Sequence, residues 1–366
     1  MPYPQFDRSK VKMLPLADRQ NKRHIERDHV KPDAAPAPVS GDTAKTIAET
    51  ALRIRQARDA GKPVMLAFGA HTIKNGLSPV LIDLMEKGWV THLATNGAGI
   101  IHDWEFAFQG KSSEDVARYV AYGQFGNWEE TGRYINLALN VGAFHDLGYG
   151  EAIGAMIENE GLTIPTASGL ENIVIAQLSV SAARSAVAAD LLDVIRAFNL
   201  KPGRMEIPHP WKRYSVQAAA FRLKIPLTGH PMFGHDIIYN HPMNRGANIG
   251  RCAERDFLTF AESVSRLSNG VYLSIGSAVM SPMVFEKSLS ISQNVAQQRG
   301  ESIRGHYILV ADLAKSSWDW SKGEPPESSP DYYLRFNKSF SRMGGDLRYI
   351  SIDNRDLLLH LLGALR

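Results

Sequence analysis

Residues 90–116 read VTHLATNGAGIIHDWEFAFQGKSSEDV. A short apolar strand, with Val90, Leu93 and Ala94, runs into Thr95-Asn96-Gly97-Ala98-Gly99, and His102, Asp103 and Glu105 follow on the opening of a helix. A glycine turn between a strand and a helix lets a phosphate lie against free backbone N–H groups at the positive helix end. The fingerprint is incomplete, because His102 stands where a third Gly or Ala belongs, so an ordinary tight turn competes with a nucleotide site.

The same grammar repeats on either side. Ile47, Ala51, Leu52, Ile54 and Ala57 give a helix over 43–60, with Asp42 as its cap and Gly61 as its stop. PVMLAFGA (63–70) reads as a buried strand, followed by the loop 71–76 and a helix over 78–87. Ser112-Ser113-Glu114-Asp115 has the polar character that starts a further helix. From 127 to 199 the pattern is helical and alanine-rich, with no evident strand. Beyond it, SVQAAAFRLK (helix), IPLTGHP (strand and loop), ERDFLTFAESVSRLS (helix) and GVYLSIGSA (strand) resume the alternation. A helix over 282–299, the strands HYILVADLA and DLRYISID, and the helix RDLLLHLLGALR complete it. Short apolar strands separated by helices predict an α/β fold, a Rossmann-like parallel sheet flanked by helices. Residues 1–42, rich in Pro and charge, read as an N-terminal arm on one α/β domain spanning 43–366. Such an arm packs on its own or a neighbouring subunit, and full ordering of it would imply an oligomer. Residues 316–339, with Trp318, Trp320, Tyr332 and Tyr333, form a long excursion that suits a lid.

Composition narrows the function. Of 366 residues, 44% are hydrophobic and 22% charged, as in ordinary globular proteins. Lys plus Arg (41) barely exceeds Asp plus Glu (38), which gives nucleic acid no electrostatic footprint. Cys252 is the single cysteine, so an intrachain disulfide and a multi-thiolate metal site are excluded, and a structural role suits it. No stretch reaches the roughly 18 uninterrupted apolar residues of a membrane span, and MPYPQFDRSK lacks a signal peptide's apolar core. A soluble cytoplasmic protein is expected, without nucleic-acid or membrane partners.

The polar clusters follow strands: Gly69-Ala70-His71 with Asn75, Asn96-Gly97-Ala98-Gly99, Gly229-His230 through Asp236, Gly276-Ser277-Ala278, and Asp353-Asn354. In a parallel sheet these loops share the carboxyl edge, where ligands bind at a switch in strand order. TGHPMFGHDIIYNHP gathers His230, His235, Asp236 and His241, and imidazole with carboxylate suits either a metal or acid–base and substrate contacts; the spacing is not HExxH. His102 can exchange protons near neutrality, and Asp103 or Glu105 can hold an ammonium group, unless they merely answer the helix dipole. Lys338, between Phe336 and Phe340, could be desolvated into an imine-forming amine.

TNGAGIIHDWE, PLTGHPMFGHDIIYNHP, YLSIGSAV and a late lysine together resemble the deoxyhypusine synthase family, and more closely its bacterial deoxyhypusine synthase-like branch. The likeness runs from about Pro63 to the end of the chain. It implies that family's Rossmann-like NAD-binding fold, a homotetramer with sites between subunits, and NAD-dependent oxidation of a polyamine before its alkyl group moves through a lysine imine. Carried over, Gly69, Ala70, His71, Asn75, Asn96, Gly97, Ala98, Gly99, Gly276, Ser277, Ala278, Asp353 and Asn354 would contact NAD. His102, Asp103, Glu105, His230, His235, Asp236, His241 and Lys338 would act on an amine or polyamine-like substrate. There are departures. Ile101 and His102 replace the paired glutamates that hold the polyamine, Gly276-Ser277-Ala278 replaces a glycine triplet followed by a catalytic histidine, and Lys338 follows Phe336-Asn337 instead of Trp-Gly. They point away from true deoxyhypusine synthesis, toward oxidation of an amine coupled to alkyl transfer or elimination. The alternatives are an NAD-dependent deaminase or cyclodeaminase-like enzyme, a non-catalytic NAD-binding or assembly protein, and a metal-dependent lyase.

Overall fold

The computed structural model describes residues 3–366. Six strands form its central sheet: β1 (Val64–Phe68), β2 (His92–Asn96), β3 (Leu227–His230), β4 (Val271–Ile275), β5 (Tyr307–Asp312) and β6 (Asp346–Ser351). All neighbours are parallel, in the order β6-β5-β4-β1-β2-β3. Every residue of β1 and β4 is buried, as continuous apolar runs covered on both faces must be. Alternation still sorts their side chains: Val64, Leu66 and Phe68 join the core on one face of the sheet, Met65 and Ala67 the core on the other. The chain moves outward from β1 to β3, then returns to lay β4 on the other side of β1. That reversal between β1 and β4 is the switch point of the doubly wound dinucleotide folds.

The crossover from β2 to β3, residues 97–226, builds a helical layer from Gly97–Gln109, Glu129–Phe144, Tyr149–Glu158, Ala167–Gln177, Ala182–Ala197 and Val216–Leu223. It also holds an antiparallel pair, Gly161–Ile164 with Gly203–Glu206, whose first strand falls within the stretch 127–199 that reads as helical. Only Leu162 and Ile164 are apolar and buried there, and the partner GRME is largely exposed, so the sequence carries almost no alternation. The helix Gly41–Asp59 begins at Ser40, whose hydroxyl accepts from the Thr43 N–H, instead of at Asp42. Asp115 caps Val116–Ala121. Among the described residues no helix is long and apolar enough to cross a membrane.

Residues 3–42 lie on their own chain. Arg8 donates to the Tyr239 carbonyl at 2.8 Å and to Asn244, the Leu14 N–H donates to the Asn127 carbonyl at 3.0 Å, and Leu16 and Ile25 are buried. Arg23–His24 pairs with Lys111–Ser112. These contacts account for the arm's order within one chain, so the arm itself does not imply an oligomer.

Candidate functional site

At the switch point the turns after β1 and β4 touch. The Gly69 N–H donates to the Ile275 carbonyl at 3.1 Å, and a Cβ on Gly69 would stand 2.0 Å from the Gly276 carbonyl oxygen. Gly276 has φ +56°, where a side chain is strained, and a Cβ there would meet the Asn354 amide at 2.6 Å. Asn354 in turn donates to Thr72 Oγ1 at 3.1 Å. Gly69, Gly276 and Asn354 therefore form one seam of almost bare backbone, flanked by Ala70, the exposed His71, the buried Ser277 and the exposed Ala278. Ser277 Oγ accepts from the Ser281 N–H, and Asp353 caps the helix Asn354–Leu365 by accepting from the Arg355 N–H. Asn75 ends the short helix Ala70–Lys74.

The turn after β2 differs from its expected use. Asn96 Oδ1 accepts from the Gly99 N–H at 2.9 Å, and a Cβ on Gly99 would meet Thr95 Oγ1 at 2.2 Å. A Cβ on Gly97 would meet Asp236 Oδ2 at 2.2 Å. The small residues at 97 and 99 thus make room for the protein's own side chains, and the place foreseen for a phosphate at this helix start is taken by the Asp236 carboxylate. Negative charge is favoured at that position.

Beside this carboxylate lies a chamber of about 190 Å³ with apolar walls from Ala98, Ile101, Val116, Phe125 and Ile237. Arg19, Lys74, His102, Glu105, Glu114, His235 and Asp236 supply its polar lining. Arg19 reaches it from the arm and grips Glu105 through two hydrogen bonds of 2.7 and 2.6 Å, both side chains being 1% exposed. Thr131 and Ser112 also donate to Glu105. Burial alone would raise the Glu105 pKa, but the Arg19 guanidinium and these donors lower it, so this carboxylate is a fixed anion with its lone pairs engaged. Glu114 accepts from Trp128 Nε1 at 2.9 Å and lies 3.8 Å from Arg19, and burial raises its pKa. His102 Nδ1 bonds Ser112 Oγ at 2.7 Å, and burial pushes its pKa down to about 4, which keeps the ring neutral. Asp236 Oδ2 has no hydrogen-bond partner, and burial pushes the carboxyl up to about 6. Lys74 makes no salt bridge with the described residues; burial, then Arg23 and Lys22, lower its pKa. His235 is exposed at the chamber's mouth.

Of the residues expected to act, His102, Glu105, His235 and Asp236 share this chamber, and four do not. The Asp103 carboxylate is buried and accepts from Ser215 Oγ, the Val216 and Gln217 N–H groups and Gln217 Nε2, so it anchors the start of Val216–Leu223. His230 Nε2 bonds Thr228 Oγ1 at 2.9 Å, and Thr228 Oγ1 in turn bonds His92; burial pushes His230 down to about 3. His241 bonds Glu129 at 3.2 Å and the Met243 N–H at 3.0 Å, packed on Gly132. Lys338 lies 2.7 Å from Glu324 and 3.3 Å above the Tyr332 ring. Its bond to Glu324 raises its pKa, the reverse of the desolvated amine expected. Because His230, His235, Asp236 and His241 diverge, they form no metal-ligand set, and no three of His, Cys, Asp or Glu gather as one among the described residues. Cys252 is buried, its thiol pushed up to about 12.

Arg19, Lys74 and Glu114 were not foreseen. Lys74 follows the first strand's glycine turn, a legible position for a cation, but nothing local links Arg19 to Glu105. A larger cavity of about 570 Å³ adjoins Lys224–Leu227 at the amino end of β3, opposite the edge where such sheets bind ligands.

No family model matches the chain, and no curated protein matches it. The likeness to deoxyhypusine synthases thus rests on the quoted motifs. Among solved structures, unliganded AgrE is similar at 15% identity and TM-score 0.42, over 90% of this chain and 34% of AgrE. ArgZ, described as an arginine dihydrolase from the ornithine–ammonia cycle in cyanobacteria, is similar at 14% identity and TM-score 0.40, over 88% of this chain and 32% of ArgZ. A conserved LOR/SDH protein from Methanococcus maripaludis S2 is similar at 11% identity and TM-score 0.43, over 92% of this chain and 72% of that one. AgrE has also been solved in a ternary complex with ornithine and NAD+. The chain spans about a third of the length of AgrE and ArgZ. Likeness of this degree does not transfer a substrate or a cofactor.

Proposed function

We propose that this chain is an NAD-dependent enzyme that oxidises the carbon of a small amine and releases the nitrogen as ammonia, without passing an alkyl group to an acceptor lysine. The observation that carries the reading is Asp236, a half-buried residue whose Oδ2 is buried and unpartnered, in a small chamber beside the switch point of a doubly wound sheet. The short helix Ala70–Lys74 joins the two places, with Thr72 bonded to Asn354 at the seam and Lys74 lining the chamber.

The seam is placed for a dinucleotide because it lies at the switch point, at the carboxyl ends of β1 and β4, where Gly69 and Gly276 let the two turns and Asn354 close up on one another. Gly69, Ala70, His71, Gly276, Ser277, Ala278 and Asn354 would hold NAD there. When bound, NAD supplies the hydride acceptor that turns an inert amine carbon into an electrophile. An ammonium nitrogen has no lone pair to push a hydride out, so the substrate must first lose a proton, and Asp236 is the group to take it. With a pKa near 6 it is ionised at neutral pH yet basic enough to accept. His102, neutral and held through Nδ1 by Ser112, can accept a hydrogen bond from the water that adds to the C=N carbon and so orient it, the water's proton passing to the nitrogen that departs as ammonia. Elimination is favoured over alkyl transfer by Lys338, whose ion pair with Glu324 keeps it out of imine chemistry.

We also take the chain to assemble with copies of itself. Ile175, Leu178 and Val180 are 76%, 67% and 79% exposed in one short stretch, a group of apolar side chains that a second copy would cover.

The test is a coupled assay on purified protein: NAD reduction and ammonia release with amino acids and polyamines, with no acceptor amine present, alongside calorimetry with NAD. Ammonia formed in step with NADH is the expected result. Absence of NAD binding, or product formation only when an acceptor amine is added, would overturn the proposal.

A further inference from the structure

Most of the charges lining the chamber are engaged within the protein. Arg19 and Glu105 neutralise each other at 2.6 Å, and Glu114 is engaged by Trp128 and lies near Arg19. Among the lysine, arginine and carboxylate side chains of the lining, Lys74 and Asp236 are the two without an ion pair to the described residues, one of each sign. Both line the same small chamber. The apolar walls include Ala98, Ile101, Phe125 and Ile237, which offer a hydrocarbon side chain contact and no hydrogen bond from their own side chains. At about 190 Å³ the chamber is smaller than the roughly 300–1,000 Å³ of sites for drug-sized ligands.

We infer that the chamber is built for an α-amino acid, a small zwitterion whose carboxylate meets Lys74 and whose ammonium meets Asp236, and not for a polyamine. A polyamine carries only positive charge, so it would leave Lys74 facing a like charge in a confined, partly desolvated space. An amino acid supplies both missing partners at once. An ammonium donor matches the unpaired Asp236 oxygen, and a carboxylate suits a lysine as a point charge. The inference rests on reading this chamber as the substrate site of the proposed enzyme. It adds a role for Lys74 as the residue that selects for a carboxylate.

Calorimetry of the full chain with L-norvaline, butylamine, pentanoate and spermidine tests it, since butylamine and pentanoate are norvaline without its carboxylate and without its amine. Norvaline should bind at least tenfold more tightly than either, and spermidine no more tightly than butylamine. Lys74→Met should cost norvaline and pentanoate at least tenfold and leave butylamine and the melting temperature unchanged, because Lys74 makes no bond that the fold needs. Lys74→Arg, which keeps the charge, should retain most of the norvaline affinity. Spermidine or butylamine binding as tightly as norvaline would overturn the inference, as would unchanged norvaline affinity in Lys74→Met, or trapping of an amine substrate's oxidised carbon on Lys74 by borohydride. NAD is titrated in parallel: NAD binding without norvaline preference defeats only this inference. Norvaline preference without NAD binding upholds the zwitterion chamber and defeats the proposed oxidation.

Discussion

Asp103 and Asp236 both came from charge-rich stretches, yet their carboxylates meet different surroundings. Asp103 is saturated by four donors from Ser215, Val216 and Gln217, while Asp236 keeps an oxygen without a partner in a space open to a small molecule. Local sequence distinguishes them poorly, because the donors to Asp103 lie more than 110 positions away. Asp236→Asn should lower amine-dependent turnover by about 10²-fold or more, the usual weight of a general base, with NAD affinity within about twofold. The wild-type rate should climb through about pH 6 and level off above it, and the variant should lack that limb. Stability runs the other way. Burial raises this carboxyl in the folded state, so its contribution is most favourable below its ordinary pKa of 3.8 and is lost as pH rises through about 6. Asp236→Asn should therefore melt higher than wild type at pH 8. Lys338→Met should change turnover less than about threefold, a steady-state comparison that separates elimination from a lysine-imine route.

At the level of elements, the fully buried strands were the most legible, since VMLAF and VYLSI can only be covered on both faces. The pair Gly161–Ile164 and Gly203–Glu206 was not, because four-residue strands with one exposed partner leave no period to read. The function of the arm was not legible. Its sequence gives no hint that Arg19 will be placed against Glu105, 86 positions on, at the floor of the chamber. Removing the guanidinium leaves a buried carboxylate unpaired, and Arg19→Ala should cost about 3–5 kcal/mol in denaturant unfolding. Adding Glu105→Gln should return part of that loss, a non-additivity that a double-mutant cycle would read directly.

For the whole molecule, the alternation of strands and helices predicted a parallel sheet but not its order. The order depends on a crossover of well over a hundred residues carrying β3 outward before β4 returns beside β1, and no local pattern encodes that return. Exposed Ile175, Leu178 and Val180 lead to an expectation at this scale: sedimentation should give a mass above the 40.5 kDa monomer, and Leu178→Asp should shift it toward the monomer. The two glycine contacts described above also divide the molecule's tolerance for a single added methyl group. At position 69 that methyl meets a carbonyl in the backbone of another strand's turn, which cannot rotate away, so Gly69→Ala pries apart the two halves of the sheet and lowers the melting temperature. At position 97 it meets the tip of a rotatable aspartate, which can swing aside at little cost. Gly97→Ala should then leave a protein that folds, melts and assembles as before, yet has mislaid its base: architecture and chemistry hang on the same one-carbon change, at different addresses.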